Sequence, residues 1–392
     1  MQGITKQELF NKVFEWVEQN KFASKDVCDV TSLPLYQNLQ QVNNEYRLGK
    51  YVYAPFYRLS KSNPDLIRKL SGLKPNEFPQ AYALMIQAFI RHSRSEKKTY
   101  RSDILNYMLD KLIASNHGTD GYYAWGQPYN WYSRKRIPAA TPRTTVTTQA
   151  GQALLDAFDY FEDERYLKIA ESAGKFLIDK MSWDIDGDGD ICFPYTTLDK
   201  YHIHNANVLG AALLARLGSI TGNDAFFEKA EKSFRFTAKH QNSDGSWYYW
   251  APPDKLLGTI DHYHTGFVLE SFQNGKKYWN GSFEFDGNLK AGMKYYLDNL
   301  FESETIPKMN PVKKFPIDIQ SCAQAIITIG EVMDDAVEKK EWLTNVADWT
   351  FQNMFDNKNG YFYFRIYKNR VDKTPYLRWG QSWMLRAITY LD

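Results

Sequence analysis

The sequence predicts an all-α protein, an (α/α) toroid of about six to seven helical hairpins with short β-hairpins in its loops. Three observations lead to this fold class. Apolar residues recur with helical periodicity in paired segments, polar motifs return at a nearly constant interval, and Asp-Gly or Asn-Gly turns separate the pairs. A solenoid of such pairs can stay open or close, and the absence of a Pro-rich linker favours one closed domain spanning residues 1–392.

The apolar periodicity predicts the helices in pairs. The paired ranges are 79–91 with 101–113, 148–160 with 164–181, 205–220 with 224–240, 262–275 with 288–300, and 318–333 with 336–355. A first helix over 5–18 and a last one over 376–391 are expected to pack together and close the ring.

The first helix of each pair begins at a recurring polar motif. These starts lie near Thr144, His202, Asp261, Ile317 and Arg378, at intervals of 58, 59, 56 and 61 residues. In a toroid, equivalent helix ends meet at the same mouth of the ring. The motifs are therefore expected to surround one cleft, with helix N-termini that favour an anionic ligand.

The composition excludes several classes of function. Net charge is only +2, which argues against a dedicated nucleic-acid binder, and no apolar run is long enough to span a membrane. The cysteines Cys28, Cys192 and Cys322 lie far apart and form no disulfide or zinc pattern. Without a signal-peptide pattern the chain is expected to be cytoplasmic, or periplasmic or secreted had a leader been removed.

The aromatic content of 16% and two histidine motifs, 202–207 and 261–266, give the cleft a carbohydrate-type character. Histidine is not a favoured helix cap, whereas Asn, Asp, Ser and Thr at helix starts are also explained by capping. The predicted catalytic residues are His264, His262, Asn205 and Tyr263. The predicted substrate-binding residues are Arg134, Trp125, Trp131, His204, Asn207, Trp247, Asp261, Asp318, Gln320, Arg378 and Trp379.

The segment 184–190 resembles the first half of a calcium loop. Its acidic residues are Asp184, Asp186, Asp188 and Asp190, but the twelfth position is Tyr195 where an EF-hand needs a bidentate Glu. A structural calcium ion and a turn of Asp caps are both compatible with the pattern. No other cofactor is expected.

The motifs resemble a known group of proteins. The segments 204–211 (HNANVLGA), 244–247 (DGSW), 261–267 (DHYHTGF), 317–326 (IDIQSCAQAI) and 378–385 (RWGQSWML) are similar to polysaccharide-associated hypothetical proteins of the six-hairpin glycosidase-like toroid superfamily. The resemblance covers about residue 64 to the C-terminus. It implies kinship with alginate and glucuronan lyases, glucuronyl epimerases and unsaturated glucuronyl hydrolases. This chain has Met309 and Gln320 where the pattern has Tyr and His, so it is expected to use another base or to have lost activity.

The resemblance and the residues favour a lyase that acts on an acidic, uronic-acid-containing polysaccharide by β-elimination. His264, or failing it His262, would transfer the proton, while Asn205 and Arg134 engage the substrate carboxylate. Side chains two positions apart on a helix differ in direction by about 200°, so only one of the two histidines can face the cleft. The alternatives are a hydrolase using Asp261 and Asp318, a glucuronyl C5-epimerase, and a glycan-binding protein without activity.

Overall fold

A computed structural model describes residues 4–97, 100–132, 135–254 and 258–391. The inner helices are α5 (Pro79–Ser95), α7 (Thr144–Phe161), α9 (His204–Thr221), α11 (His262–Lys277), α13 (Ile319–Val332) and α15 (Ser382–Ile388). The outer helices are α1 (Lys6–Gln19), α6 (Ser102–Ala114), α8 (Glu164–Asp179), α10 (Asp224–Lys239), α12 (Asp286–Asn299) and α14 (Ala336–Met354). Helices α2 (Pro34–Glu45), α3 (Gly49–Ser62) and α4 (Pro64–Ser71) form an insertion between α1 and α5.

The inner helices form a closed ring. Each contacts the next, from α5 through α7, α9, α11 and α13 to α15, and α15 returns to α5. Each outer helix packs on its inner partner, and the first helix, α1, packs on the last, α15. The predicted (α/α) toroid is therefore confirmed, with six hairpins within the described residues. The prediction that residues 1–392 form a single domain stays a prediction.

Burial explains which helix of each pair lies inside. Inner helix α9 is buried on nearly every side, whereas its partner α10 buries one face and exposes charged side chains on the other. The turn between them is set by two residues. Gly222 ends α9 with a φ of 69°, and the side chain of Asn223 caps α10 by accepting a hydrogen bond from the Ala225 amide at 3.0 Å.

Short antiparallel strands occupy the loops that lead from outer to inner helices. They are β1 (Trp131–Tyr132), β2 (Arg136–Ile137), β3 (Asp184–Ile185), β4 (Ile191–Cys192), β5 (Phe301–Glu302), β6 (Ile306–Pro307), β7 (Ile317–Asp318), β8 (Phe355–Asp356), β9 (Tyr361–Phe362), β10 (Arg365–Tyr367) and β11 (Arg370–Asp372). Pairs β1–β2, β3–β4, β5–β6 and β8–β9 are hairpins, and β10 pairs with both β11 and β7. Gly121, Gly189 and Gly245, which follow Asp in the predicted turns, have positive φ. At Gly245, where φ is 92°, a Cβ would lie 2.4 Å from the Ala291 carbonyl oxygen.

Polar residues in the first turn of several inner helices fasten these loops to the ring. Thr147 Oγ1 accepts a hydrogen bond from the Trp125 amide at 3.0 Å, and Asn207 Oδ1 accepts one from the Phe193 amide at 2.9 Å. Gln381 Oε1 does the same for the Phe362 amide at 2.8 Å. Part of the repeated polarity at helix starts is thus scaffolding, because it satisfies loop amides that burial removes from water.

The insertion α2–α4 is anchored beside the mouth of the ring where the inner helices begin, hereafter the N-terminal mouth. Helix α2 contacts strand β1, and a 3₁₀ turn at Val30–Ser32 contacts both α2 and α4. From α4, buried Arg68 donates to Asp29 at 2.9 Å and to the Tyr376 hydroxyl at 3.2 Å. Tyr376 precedes the π turn Leu377–Gln381, so the insertion and the final inner helix are held together at this mouth. No helix within the described residues is long and apolar enough to cross a membrane.

Candidate active site

A histidine–carboxylate pair lies at the start of inner helix α11. Asp261 caps the helix by accepting a hydrogen bond from the His264 amide at 3.0 Å, and its second oxygen lies 2.6 Å from His264 Nδ1. Burial raises the pKa of Asp261, but the charge and hydrogen bonds of His264 outweigh this effect and hold that pKa below its usual value. Asp261 is therefore ionised at neutral pH, accepts the Nδ1 proton and leaves Nε2 as the basic nitrogen.

A narrow crevice adjoins this pair. Asn205 from α9 lines it together with His264 and Tyr249, and its volume is about 10 Å³. Asn205 is buried, and its side-chain oxygen has no hydrogen-bond partner among the described residues. A space of this size admits one water or hydroxyl group but no sugar ring. Only a single small group could therefore extend from the mouth toward Asn205.

Aromatic rings and guanidinium groups encircle the N-terminal mouth and form what we call the aromatic belt. Ring centroids lie 4.4 Å apart for Tyr249 and His264, 4.3 Å for His264 and Tyr263, and 5.9 Å for Tyr263 and Trp379. The belt consists of Trp131, Tyr195, Tyr249, His264, Tyr263, Trp379, Arg378, Tyr129 and Arg143. Partly exposed aromatic faces arranged in this way suit stacking against sugar rings.

The two arginines complete the circle. Arg378 lies 5.3 Å from the Trp379 ring and 5.6 Å from the Tyr129 ring. Arg143 lies 5.3 Å from Tyr129 and 5.1 Å from Trp131. Trp131 then stacks on Tyr195 at 5.5 Å, and Tyr195 packs with Tyr249 against the same small apolar cluster.

Arg143 differs from Arg378 in its partners. Arg378 pairs with Asp26, with Nε 2.7 Å from Oδ2, and both side chains are buried. Arg143 is 6% exposed, yet its Nε and Nη2 have no hydrogen-bond partner within the described ranges. A buried guanidinium without a carboxylate loses hydration that nothing in the described structure replaces. Arg143 is therefore the belt residue most suited to receive an anionic group from a ligand.

Asp318 lies at the belt, and both of its carboxylate oxygens accept hydrogen bonds. Its Oδ1 accepts hydrogen bonds from the Gln320 amide and from Trp379 Nε1, both at 2.9 Å, and its Oδ2 accepts one from Arg365 Nε at 2.5 Å. The carboxylate caps α13 and fixes the Trp379 ring. Asp318 thus positions the belt, and an ion pair of this kind leaves it poorly suited to protonate a leaving group.

The prediction that His262 lines the cleft is wrong. His262 is fully buried between the helix layers, with Nδ1 3.1 Å from the Tyr296 hydroxyl and its ring 5.0 Å from that of Phe301. Burial lowers the pKa of His262 to about 3, so the ring is neutral. His264 faces the belt and His262 packs behind it, as the rotation between the two positions requires.

His204 is also buried, which contradicts its prediction as a substrate-binding residue. Its Nδ1 lies 3.4 Å from Thr237 Oγ1 on the outer helix α10, and its ring packs against Phe236 and His240. Burial, together with the charges of His240 and His202, lowers the pKa of His204 to about 3. His204 reaches only the back of the crevice beside Asn205.

Acid is expected to destabilise the protein through the buried, neutral His262. The folded pKa of about 3 lies below the unfolded value of 6.5, so the unfolded chain binds more protons between these values. The contribution of neutral His262 to the free energy of unfolding has its full value above pH 6.5 and decreases as the pH falls toward 3. Chemical denaturation at several pH values measures the free energy of unfolding. Between pH 6.5 and 4 this free energy should fall less in His262→Phe than in wild type, by about 1 kcal/mol or more. If the free energy of unfolding depends on pH equally in both proteins, His262 is not the buried neutral group that makes the protein sensitive to acid.

Three further predicted binding residues belong to the scaffold instead. Trp125 is fully buried and its Nε1 donates to the Leu112 carbonyl at 2.7 Å, while Trp247 is buried and donates to the Thr237 carbonyl at 2.9 Å. Asn207 is buried and holds the β4 loop. The tryptophans that follow Gly121 and Gly245 thus tie these two loops to the ends of their outer helices.

The remaining predicted residues have mixed outcomes. Arg134 lies outside the described residues. Gln320 is buried beside Asp318, and its side-chain oxygen has no partner among the residues described, whereas Met309 is substantially exposed. Tyr263 lies in the belt, where burial and then the charges of Asp261 and Asp318 raise its pKa well above the ordinary value. The catalytic and binding roles of these residues stay predictions.

The acidic loop holds a lysine among its carboxylates. Asp186, Asp188 and Asp190 offer oxygens within 4.8 Å of one another, and Lys239 Nζ lies 2.8 Å from Asp188, 3.0 Å from Asp190 and in contact with Asp186. Asp184 instead pairs with Lys200 at 3.2 Å. The ammonium group supplies the positive charge that a calcium ion would otherwise bring, which favours the turn of Asp caps. The calcium site stays a prediction.

Millimolar calcium is therefore expected to leave the melting temperature of the wild-type protein unchanged, because it would have to displace Lys239. Lys239→Met, which leaves the carboxylates uncompensated, should gain a calcium-dependent rise in melting temperature. Differential scanning fluorimetry with calcium, and with magnesium as the control cation, measures both. A saturable, calcium-specific rise in the wild type would establish the structural calcium site instead.

Comparison with known structures identifies the architecture. No protein-family model and no curated protein sequence matches the chain. A protein of Listeria innocua superposes with a TM-score of 0.63 at 13% identity, covering 99% of this chain and 97% of that one. The cellobiose 2-epimerase of Spirochaeta thermophila gives 0.61 at 11% identity over 81% and 86% of the two chains. A family 76 glycoside hydrolase of Bacteroides thetaiotaomicron gives 0.60 at 14% over 81% and 70%.

The fold is that of the six-hairpin (α/α) toroids. Identities this low establish the fold alone. The predicted site residues did not include Tyr249, Tyr195 and Tyr129, and Arg143 was predicted only as part of the polar motif at the start of α7. Arg143 directly precedes α7, as Asp261 directly precedes α11, and that equivalent position is the signal that points to it.

Proposed function

We propose that the protein is a carbohydrate-active enzyme that removes a proton from an acidic, uronate-containing glycan, with the His264–Asp261 pair as the base. The observation that carries the proposal is the 2.6 Å contact between His264 Nδ1 and Asp261 at a mouth ringed by aromatic side chains. A base oriented by a half-buried carboxylate and itself partly exposed at the mouth is suited to general base catalysis. Solved relatives in fold include an epimerase and a glycoside hydrolase that act on sugars, which supports the substrate class.

The belt supports a substrate that carries a carboxylate. Arg143 Nε and Nη2 have no partner among the described residues, and a planar guanidinium binds a carboxylate with two parallel hydrogen bonds. Neutralising the carboxylate acidifies the C5 proton of a uronate and stabilises the charge that develops when this proton leaves. Asn205 adds a polar contact in the crevice beside His264.

The proposed reaction is β-elimination. His264 Nε2 takes the C5 proton, the electrons of that C–H bond form the C4–C5 double bond, and the bond from C4 to the linking oxygen breaks. Tyr263, adjacent to His264 and protonated at neutral pH because burial raises its pKa, is placed to give the leaving oxygen its proton. His264 then releases its proton to solvent, and the Tyr263 oxygen takes a proton from solvent, which restores both groups.

An epimerase is the second candidate, because it shares the first step. After His264 removes the proton, Tyr263 or Tyr249, which flank its ring at 4.3 and 4.4 Å, would return one to the opposite face. A hydrolase is disfavoured, because Asp318 is held by Arg365 and Trp379 and Asp261 is committed to His264.

Incubation with a panel of acidic and neutral polysaccharides tests the proposal. A lyase produces the ultraviolet band of an unsaturated uronate together with new reducing ends. An epimerase changes the sugar composition and incorporates deuterium from heavy water without shortening the chains. New reducing ends without the band would establish a hydrolase, and binding without any product would establish a glycan-binding role.

Replacement of Arg143 by methionine is expected to raise KM for a uronate substrate by about tenfold to a hundredfold, since one charge-assisted interaction is lost. Methionine keeps the apolar packing against Trp131 and removes an unpaired buried charge, so the melting temperature should not fall. The matched control is Arg136→Met, an exposed arginine of the same loop, which should leave KM unchanged. Equal KM values for Arg143→Met and wild type would exclude this carboxylate site.

A further inference from the structure

A second, larger cavity opens on the other side of the ring, where the inner helices end. Its volume is about 540 Å³, and side chains from each of the six inner helices line it. Phe267 packs against Tyr263 on the belt side and against Trp383, and both Phe267 and Trp383 line this cavity. These rings lie between the aromatic belt and the cavity, so the two openings are distinct places.

Buried polar atoms without partners lie in the wall of this cavity. Gln149 Oε1, Ser271 Oγ and Arg216 Nε have no hydrogen-bond partner among the described residues, and the three residues are 8%, 1% and 4% exposed. They come from three different inner helices, α7, α11 and α9. Together they offer an acceptor, a hydroxyl and a donor, the combination that a molecule rich in hydroxyl groups satisfies.

The cavity is also positively charged. Six basic and three acidic residues line it. Most of the basic residues are paired; for example, Arg216 lies 2.8 Å from Asp156 and Arg386 contacts Glu270. Arg94, in the last turn of α5, has no ion pair within the described part of the chain. Helix C-termini attract basic residues, which accounts for part of the excess, but Arg94 remains available to an anion.

We infer that this cavity is a binding site for a small acidic sugar, the size of a mono- or disaccharide, separate from the aromatic belt. The sugar hydroxyls would bond to Gln149, Ser271 and Arg216, and the acid group would pair with Arg94. The inference follows from the cavity's own lining and does not depend on the proposed reaction at His264. A site that faces away from the reaction suits a product or effector that modulates the enzyme.

Calorimetric titration with D-glucuronate, D-glucose and inorganic phosphate tests the inference. Glucuronate should bind most tightly, because only it offers both hydroxyls and a carboxylate. Arg94→Ala and Gln149→Leu should each weaken glucuronate binding by about tenfold, the loss of one hydrogen bond to a charged or buried group. Arg94 is exposed, so its variant is expected to fold even if Gln149→Leu does not.

Two control variants locate the site. Arg165→Ala, an exposed arginine on outer helix α8, should leave glucuronate affinity unchanged. Arg143→Met removes the carboxylate contact proposed for the belt, so glucuronate binding that persists in this variant belongs to the cavity. Unchanged affinity in Arg94→Ala would overturn the inference, and so would loss of binding in Arg143→Met alone, which places the sugar at the belt. Phosphate binding as tightly as glucuronate would also overturn it, because the hydroxyl contacts would then contribute nothing.

Discussion

Replacement of His264 by alanine is expected to reduce turnover on a uronate-containing glycan by about two to four orders of magnitude, the contribution of a positioned general base. The imidazole is partly exposed and its polar partner among the described residues is Asp261, so its removal disturbs little packing. Steady-state kinetics should show the loss in kcat with KM nearly unchanged, because the base acts in the transition state rather than in binding.

Two control variants separate this role from a structural one. His262→Phe removes the neighbouring buried histidine and should leave turnover within about threefold of wild type, since a fully buried neutral ring cannot reach the substrate. Asp261→Asn keeps the helix cap but removes the charge that fixes the His264 tautomer, so it should lower kcat strongly without changing the fold. Unchanged kcat in His264→Ala would exclude His264 as the base.

Replacement of Asp26 by alanine is expected to lower the free energy of unfolding by about 3–5 kcal/mol, because it leaves the Arg378 guanidinium buried without its carboxylate. The two side chains are 1% and 8% exposed, and Arg378 Nη1 is otherwise bonded only weakly, to Gln80 Oε1 at 3.3 Å. The loss should be visible as a lower denaturation midpoint in guanidinium chloride. It should also loosen the belt at Trp379, which Arg378 supports.

The matched control is Asp298→Ala, which breaks the exposed pair with Lys294 on α12 and should cost at most about 0.5 kcal/mol. The double variant Asp26→Leu/Arg378→Met removes both charges and should recover most of the stability lost in Asp26→Ala. If the single and double variants unfold at the same midpoint, the buried ion pair is not the source of the loss.

The fold followed closely from the sequence because hairpin repeats are encoded locally. Apolar periodicity, cap residues such as Asn223 and glycine turns such as Gly245 each act within a few residues, and they agree with one another along the chain. The pairing of the first helix with the last was also predictable, since each needed a partner for its apolar face. The short insertion helices α2–α4 were not predicted, because their packing depends on contacts remote in sequence, such as Arg68 with Tyr376.

The site was less predictable. Sequence spacing placed His264 and His262 at the same helix start, and helical rotation required one to face inward, but which one depends on the tilt of α11 in the ring. Trp125 and Trp247 resembled sugar-binding residues because side-chain type does not reveal burial. The sequence could not show that the Arg143 guanidinium has no carboxylate partner among the described residues, since that is a property of the folded chain. Localisation stays a prediction.

Proton transfer by His264 is measured most directly with a uronate substrate labelled with deuterium at C5. The wild-type enzyme should release the deuterium into water at least as fast as product forms, whether the product is unsaturated or epimerised. His264→Ala should reduce release and product formation by the same factor, about a hundredfold or more. Product that forms while the label stays on C5 would contradict proton abstraction at this carbon, and with it the role of the His264–Asp261 pair.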